Sequence, residues 1–311
     1  MRLELPPDLV GRLQITDAVE REGHERMSYL PSRVIDSVFR DRTAEVSPLI
    51  EGRIAGALRV DPAEIVWVPK AGRVDTYRPV TALTPLSRVL LRALTADLHE
   101  LVRSPDRSVS AFRDFQTSVL AVPNTTHVVV ADVASFYFFV DHEMLEARAV
   151  EASARADTGS AIRAVLTSFY QRPFGLPQNF GPSSLLSELC IAPVERRLVR
   201  RGIPTFRSND DFRLAAPTWG DALRYLEALQ QEVSNVGLDL NAEKTWILKA
   251  ETYRVNLGLK DQILEQALRD LAELEETEEM DPYTGEPVEG DESERTHAGR
   301  PAGRHSAQTF S

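Results

Sequence analysis

An α+β fold is what this sequence predicts, and three observations predict it. An apolar β-branched run, Val128-Val129-Val130-Ala131, opens at His127 and ends on Asp132. A second short run, Ile65-Val66-Trp67-Val68, is stopped by Pro69, which cannot donate to a sheet ladder. Around them apolar residues recur at helical spacing, as Val89, Leu90, Leu94, Leu98 and Leu101 do within 85–103. Helices mixed with short central strands imply an antiparallel sheet backed by helices.

Taken in chain order, residues 1–60 read as mostly helical, with Tyr29-Leu30-Pro31-Ser32 marking a helix start by a capping serine after proline. The 65–69 run is a short strand and 85–103 an amphipathic helix. After the strand that ends at Asp132, residues 143–170 form helix, broken near Asp157-Thr158-Gly159, and residues 220–236 form another, beginning after Trp219-Gly220. From about 275 the chain turns to Glu, Asp, Pro, Gly, Ser and Thr with few apolar residues. Such a segment cannot bury enough surface to offset the entropy of ordering, so a disordered acidic tail is expected. A tail that mimics nucleic acid and covers a cleft is the functional alternative. No internal repeat is evident.

A chain of 311 residues that is 42% hydrophobic can bury a sizeable core, as one large domain or two modest ones. Its formal charge of −11 is unevenly spread: after position 260 there are 14 acidic and 4 basic residues, so the preceding body is nearly neutral. Cys190 is the only cysteine, which excludes an intrachain disulfide and a thiolate zinc cluster and makes the cytoplasm the natural compartment. The N-terminus lacks the apolar core of a signal peptide, and no run reaches the length of a membrane span.

The chemistry is carried by Asp132, at the end of its strand, and by the adjacent pair Asp210-Asp211 further on. Two divalent metals about 3.5–4 Å apart, clamped between carboxylates, stabilise the attacking and leaving oxygens of phosphoryl transfer, and nucleic-acid polymerases need that arrangement. One aspartate on a strand end and two on a turn can provide it.

The surrounding motifs point to one family. Asp132-Val133-Ala134-Ser135-Phe136-Tyr137-Phe138-Phe139-Val140-Asp141-His142 resembles the first catalytic motif of bacterial reverse transcriptases. Gly175-Leu176-Pro177-Gln178 with Ser183-Ser184-Leu185-Leu186-Ser187-Glu188 is similar to their template-gripping motif, and Arg207-Ser208-Asn209-Asp210-Asp211-Phe212 to their Arg-Tyr-x-Asp-Asp-Phe turn. Gly237-Leu238-Asp239-Leu240-Asn241-Ala242-Glu243-Lys244-Thr245 resembles the next motif, and Asn256-Leu257-Gly258 the primer-grip turn. The resemblance covers roughly residues 65–260. It implies the fingers and palm of a right-hand polymerase, an antiparallel palm sheet backed by helices, with a minimal or absent thumb. Residues 1–60 would be a helical N-terminal extension, 61–260 the fingers and palm, and 261–311 a short helix and the acidic tail.

The resemblance also implies roles. Asp132, Asp210, Asp211 and the Val133 carbonyl would hold two Mg2+ ions, with Mn2+ as the alternative. Lys70 and Arg78 would embrace the triphosphate, a point charge and a guanidinium fork, or be no more than a basic surface hairpin. Tyr137 would exclude a 2′-hydroxyl by contact, or simply be core, while Phe136 and Phe138 pack in the core. Gln178 would touch template or nucleotide, and Gly175 would allow close backbone approach. Leu257 and Gly258 would grip the primer. Lys244 would protonate pyrophosphate, or staple a turn at the surface. Arg196, Arg197, Arg200 and Arg201 either line a basic cleft or form a solvated helix face.

Some residues depart from the family pattern. Ser208 stands where a tyrosine or phenylalanine is usual, and Asn179-Phe180-Gly181 replaces a glycine-led continuation. The Ser-x-x-x-Ser-Glu form at 183–188 is closer to abortive-infection and defence-associated members than to group II intron maturases. Few helical residues remain after Leu259, too few for a full thumb. The resemblance therefore implies an RNA-directed DNA polymerase of prokaryotic anti-phage defence that uses an RNA template, deoxynucleotide triphosphates and a DNA product. A dedicated noncoding RNA, a partner protein or a second copy would complete the grip. Template-independent nucleotide addition and a weakly active RNA-binding scaffold are the alternatives.

Overall fold

The computed structural model describes residues 2–25, 34–56, 58–69, 76–99 and 108–258. Met1–Arg254 form one compact unit and Val255–Ser311 a second, of which 255–258 are described. The expected helix start at Ser32 and the acidic tail lie outside the described residues.

The described residues among the first 60 are mostly helical, as expected. They hold β1 (Arg2–Leu3), α1 (Pro7–Arg12), α2 (Ile15–His24), α3 (Val34–Asp41), α4 (Thr43–Ala55) and β2 (Leu58–Arg59). β1 pairs antiparallel with β2, which closes this segment on itself. Next come β3 (Glu64–Pro69), β4 (Tyr77–Ala82) and α5 (Pro85–His99). α5 buries Val89, Leu90, Leu94 and Leu98 of the stripe its spacing predicts, and Leu91 besides, and packs on α2; Leu101 lies outside the described residues. A buried ion cluster crosses that contact: Glu22 lies 2.8 Å from Arg88 and 2.9 Å from Arg92. Burial raises the Glu22 pKa even against both cations, so desolvation outweighs the attraction. The cluster therefore fixes how the N-terminal helices dock more than it adds stability.

The remaining elements are α6 (Val109–Ser118), β5 (His127–Asp132), α7 (Phe136–Phe139), α8 (His142–Ser153), α9 (Ala156–Tyr170), α10 (Gly181–Arg200), β6 (Thr205–Ser208), β7 (Asp211–Ala216), α11 (Trp219–Ser234) and β8 (Trp246–Lys249). Four strands make an antiparallel sheet in the order β6-β7-β5-β8. α11 lies against β5 and β7, and α10 against β6 and α11, so the sheet is backed by helices as predicted. Val128, Val129, Val130 and Ala131 are all buried, which explains an unbroken apolar run in place of alternation.

Three boundaries differ from the sequence reading. The 143–170 helix breaks at Ala154, left-handed at φ 57°, and not at 157–159. Asp157 instead sits in the first turn of α9, where a carboxylate suits the helix dipole, and pairs with Arg12 at 2.7 Å. α11 starts at Trp219 because the Thr218 hydroxyl accepts the Asp221 N–H. Residues 250–258 are helical where a turn was expected at Asn256-Leu257-Gly258. Tyr253 anchors the start of that segment, donating its hydroxyl to the Gln116 carbonyl at 2.9 Å.

Candidate active site

β5 carries Asp132 to the rim of the sheet, directly opposite Asp211 on β7. The two-residue turn Asn209-Asp210 joins β6 to β7, with Asn209 at φ 56°, a left-handed conformation that asparagine tolerates. The Val133 N–H donates to the Asp210 carbonyl at 3.1 Å, so the turn folds back over the end of β5. Three carboxylates that are 78 residues or more apart in sequence for two of the pairs thus share one rim.

Their electrostatics record that crowding. Burial, followed by the charges of Asp132 and Asp211, pushes the Asp210 carboxyl up to about 6. Asp211 is also raised, by burial first, with Arg213 at 3.5 Å opposing. Lys244 places its Nζ 3.0 Å from Asp132 Oδ2, and Asn241 Nδ2 donates to the same oxygen at 3.4 Å. With Asp211 drawn toward Arg213 and Asp132 toward Lys244, no three acidic, histidine or cysteine side chains among the described residues converge into a ready cation cage. The donor set still fits a hard divalent ion: carboxylate oxygens whose mutual repulsion a cation would relieve.

Beside the rim lies a cleft of about 570 Å³ lined by Asp132, Val133, Tyr137, Gln178, Asp210 and Lys244, and by Arg78 of the β3–β4 hairpin. Most of the predicted site residues therefore face one space. Lys70 lies outside the described residues. Asp211 stands at the rim and is not part of the cleft lining. Gly175 is also not in the lining; its close approach, at φ 119°, is to the Tyr170 ring, 3.2 Å from where a Cβ would stand. Leu257 and Gly258 sit in the helical segment 250–258.

Tyr137 is half-buried, with its ring edge-on to Phe136 at 5.4 Å and its hydroxyl donating to Asn209 Oδ1 at 3.3 Å. Phe136 is core, as expected. Phe138 is not: it is half-buried on the cleft wall and carries the Arg172 guanidinium 4.0 Å over its ring. In the arginine group, Arg197 and Arg201 bind Glu232 at 3.0 and 3.4 Å and tie α10 to α11. Arg196 and Arg200 are exposed, and none of the four is part of the lining of this cleft.

Residues 68–261, more than half of the chain, match the family model described as reverse transcriptase (RNA-dependent DNA polymerase). The chain belongs to the reverse transcriptase family. Its fold, helices around an antiparallel sheet, is that of polymerase fingers and palm. Among solved structures it is similar to apo telomerase from Candida tropicalis truncated from its C-terminal domain, at TM-score 0.42 and 15% identity. That match covers 62% of this chain and 51% of the telomerase, so the chain spans about half its length. None of the curated proteins matches.

Within this reverse transcriptase, several residues that hold the site carry no role in the sequence reading. Arg207 is buried and binds Glu188 and Glu195, the latter at 3.0 Å, while donating to the Asn209 carbonyl at 2.9 Å. The signal for it was legible: Glu188 and Glu195 stand seven apart, on one face of a helix. His142 is buried and donates Nε2–H to the Gly175 carbonyl at 2.8 Å, which leaves Nδ1 to accept from Thr167 Oγ1 at 3.1 Å. Burial lowers its pKa, so the ring is neutral and pins the loop that begins at Gly175 to α8. Asp141, its neighbour, caps α8 by accepting the Met144 N–H at 2.7 Å.

Proposed function

We propose that this reverse transcriptase adds deoxynucleotides to a 3′-hydroxyl on an RNA template. The observation that carries the reading is the shared cleft: Asp132, Asp210 and Lys244 on one wall, with Arg78, Tyr137 and Gln178 around the same space. Arg78 offers a guanidinium fork to the triphosphate, and Gln178 an amide to the base or template. Tyr137 presents its ring where the sugar would lie, which disfavours a 2′-hydroxyl by contact. Asp132 and Asp210, with the Val133 carbonyl and with Asp211 in support, would hold Mg2+ or Mn2+. When bound, such ions neutralise the triphosphate and make the 3′-hydroxyl more acidic. That oxygen forms the new bond to the α-phosphorus as the bond to pyrophosphate breaks, and Lys244 is placed to return a proton to the leaving group.

The Ser183–Glu188 motif supports a place among defence-associated bacterial members, acting in the cytoplasm against phage. A dedicated noncoding RNA, a partner protein or a second copy would then complete the grip on template and primer.

The test is incorporation of labelled deoxynucleotides and ribonucleotides by purified protein with Mg2+, on co-purified RNA or a supplied primer-template, beside Asp210→Ala. Deoxynucleotide incorporation that the substitution abolishes supports the reading, and product sequencing separates templated synthesis from untemplated addition. Ser208, which lacks the usual ring beside the catalytic turn, favours a second reading as a weakly active RNA-binding scaffold. No incorporation, even with RNA and partners from the same locus, would favour that scaffold.

A further inference from the structure

Asn209 stands between two groups that the proposed chemistry needs in register. Its amide nitrogen donates to Asp210 Oδ1 at 2.7 Å, and its amide oxygen accepts the Tyr137 hydroxyl at 3.3 Å. The orientation of the amide follows from its partners. An ionised carboxylate can only accept, so the nitrogen must face Asp210 and the oxygen is left for the phenol. The Asn209 backbone is left-handed, at φ 56°. Arg207 holds the Asn209 carbonyl at 2.9 Å from below, so the turn is fixed independently of the amide. The Ser187 hydroxyl also lies 3.5 Å from the Tyr137 hydroxyl, a longer contact than the amide's, and donates to the Ser184 carbonyl at 2.9 Å.

We propose that Asn209 is a positioning residue for sugar selection: by holding the Tyr137 hydroxyl and the Asp210 carboxylate through one amide, it sets how far the ring stands from the nucleotide sugar. This rests on the polymerase reading above. A ring free to swing about its Cβ leaves room for a 2′-hydroxyl, whereas a ring tethered at its far end does not. The tether is a long O–H···O contact, so its effect is modest, and it is read as a ratio of two substrates and not as a loss of rate.

The experiment measures kcat/KM for deoxynucleotide and ribonucleotide triphosphates with wild type, Tyr137→Phe, Asn209→Gly, Asn209→Asp and the double variant Tyr137→Phe with Asn209→Gly. Glycine accepts the left-handed backbone, so Asn209→Gly removes the amide without straining the turn. Tyr137→Phe and Asn209→Gly should each relax discrimination against ribonucleotides about threefold, the scale of one neutral hydrogen bond. The double variant should be no more relaxed than either single one, because both break the same contact. Asn209→Asp keeps an acceptor for the phenol but sets a carboxylate against Asp210 Oδ1 in place of the amide donor, so it should relax the ratio as Asn209→Gly does. Unchanged ratios in the single variants, or effects that multiply in the double, would overturn the inference while leaving the polymerase reading intact. A wild type that incorporates neither nucleotide would overturn both.

Discussion

The Lys244 ammonium lies 3.0 Å from the Asp132 carboxylate, on the wall of the cleft. In this arrangement the lysine neutralises a carboxylate that a divalent ion would otherwise claim, and ion entry must displace it. Lys244→Met should therefore lower the Mg2+ concentration needed for half-maximal rate. If the lysine also serves as the acid for pyrophosphate, the same variant should lose about a hundredfold in kcat. Initial rates across a Mg2+ titration separate the two roles. A lowered Mg2+ requirement with unchanged kcat would leave Lys244 as a surface cation that staples its turn.

Asp210 makes metal-free stability depend on pH in the unusual direction. Its folded-state pKa, about 6, lies above its ordinary 3.8 because of burial and the neighbouring aspartates. The folded protein thus binds this proton more tightly than the unfolded chain. The associated stability is fully present below 3.8 and is lost as pH rises through about 6. At pH 8 without metal, the ionised group should weaken the fold by on the order of 2–3 kcal/mol. Asp210→Asn should accordingly raise the unfolding temperature of metal-free protein at pH 8 and do little at pH 4. Adding Mg2+ should stabilise wild type and not the variant. Thermal unfolding at the two pH values with and without Mg2+ is the check, and an asparagine variant less stable at pH 8 would contradict the cost assigned to the carboxylate.

The buried guanidinium of Arg207 makes contact with Glu188, Glu195 and the Asn209 carbonyl at once. Burial already pushes the Glu195 carboxyl up, and Arg207 is its main opposing charge. Removing the guanidinium leaves two carboxylates without their cation, which typically costs about 3–5 kcal/mol. Arg207→Ala should show that loss in urea unfolding. Arg207→Lys should recover part of the stability, because a charge remains, yet little of the activity, because an ammonium cannot span both carboxylates and the turn carbonyl. Equal activity in Arg207→Lys and wild type would mean that the fork does not set the turn.

What was legible in the sequence was whatever local patterning decides. The run from Val128 to Ala131 was legible as a strand ended by Asp132, whereas the turn expected at Asp210-Asp211 lies at Asn209-Asp210, with Asp211 already on β7. The helix stripe from Val89 to Leu98 was equally plain. What was not legible depends on partners distant in sequence. The Ala154 break carries no glycine to announce it, and its position follows from Asp157 finding Arg12, 145 residues away. Tyr253 holds the Gln116 carbonyl, 137 residues away, a contact that no local pattern announces. Gly175 was legible as a close approach, but the group approached, the Tyr170 ring, was not.

That approach is a demanding one. Gly175 has φ 119°, which side chains rarely adopt, and a Cβ there would stand 3.2 Å from the Tyr170 ring. The ring cannot easily retreat, since its hydroxyl is held by Thr81 Oγ1 at 2.9 Å. The Gly175 carbonyl is held in turn by His142. Gly175→Ala should therefore cost about 1–3 kcal/mol of stability from the backbone alone, with the ring contact adding to it. Because Gln178 follows three residues later in the same loop and lines the cleft, nucleotide KM should rise with kcat less affected. Combining Gly175→Ala with Tyr170→Leu relieves the contact but not the φ, so stability should return only in part. Full recovery in the double variant would mean that the ring, and not the backbone, is what requires glycine at this position.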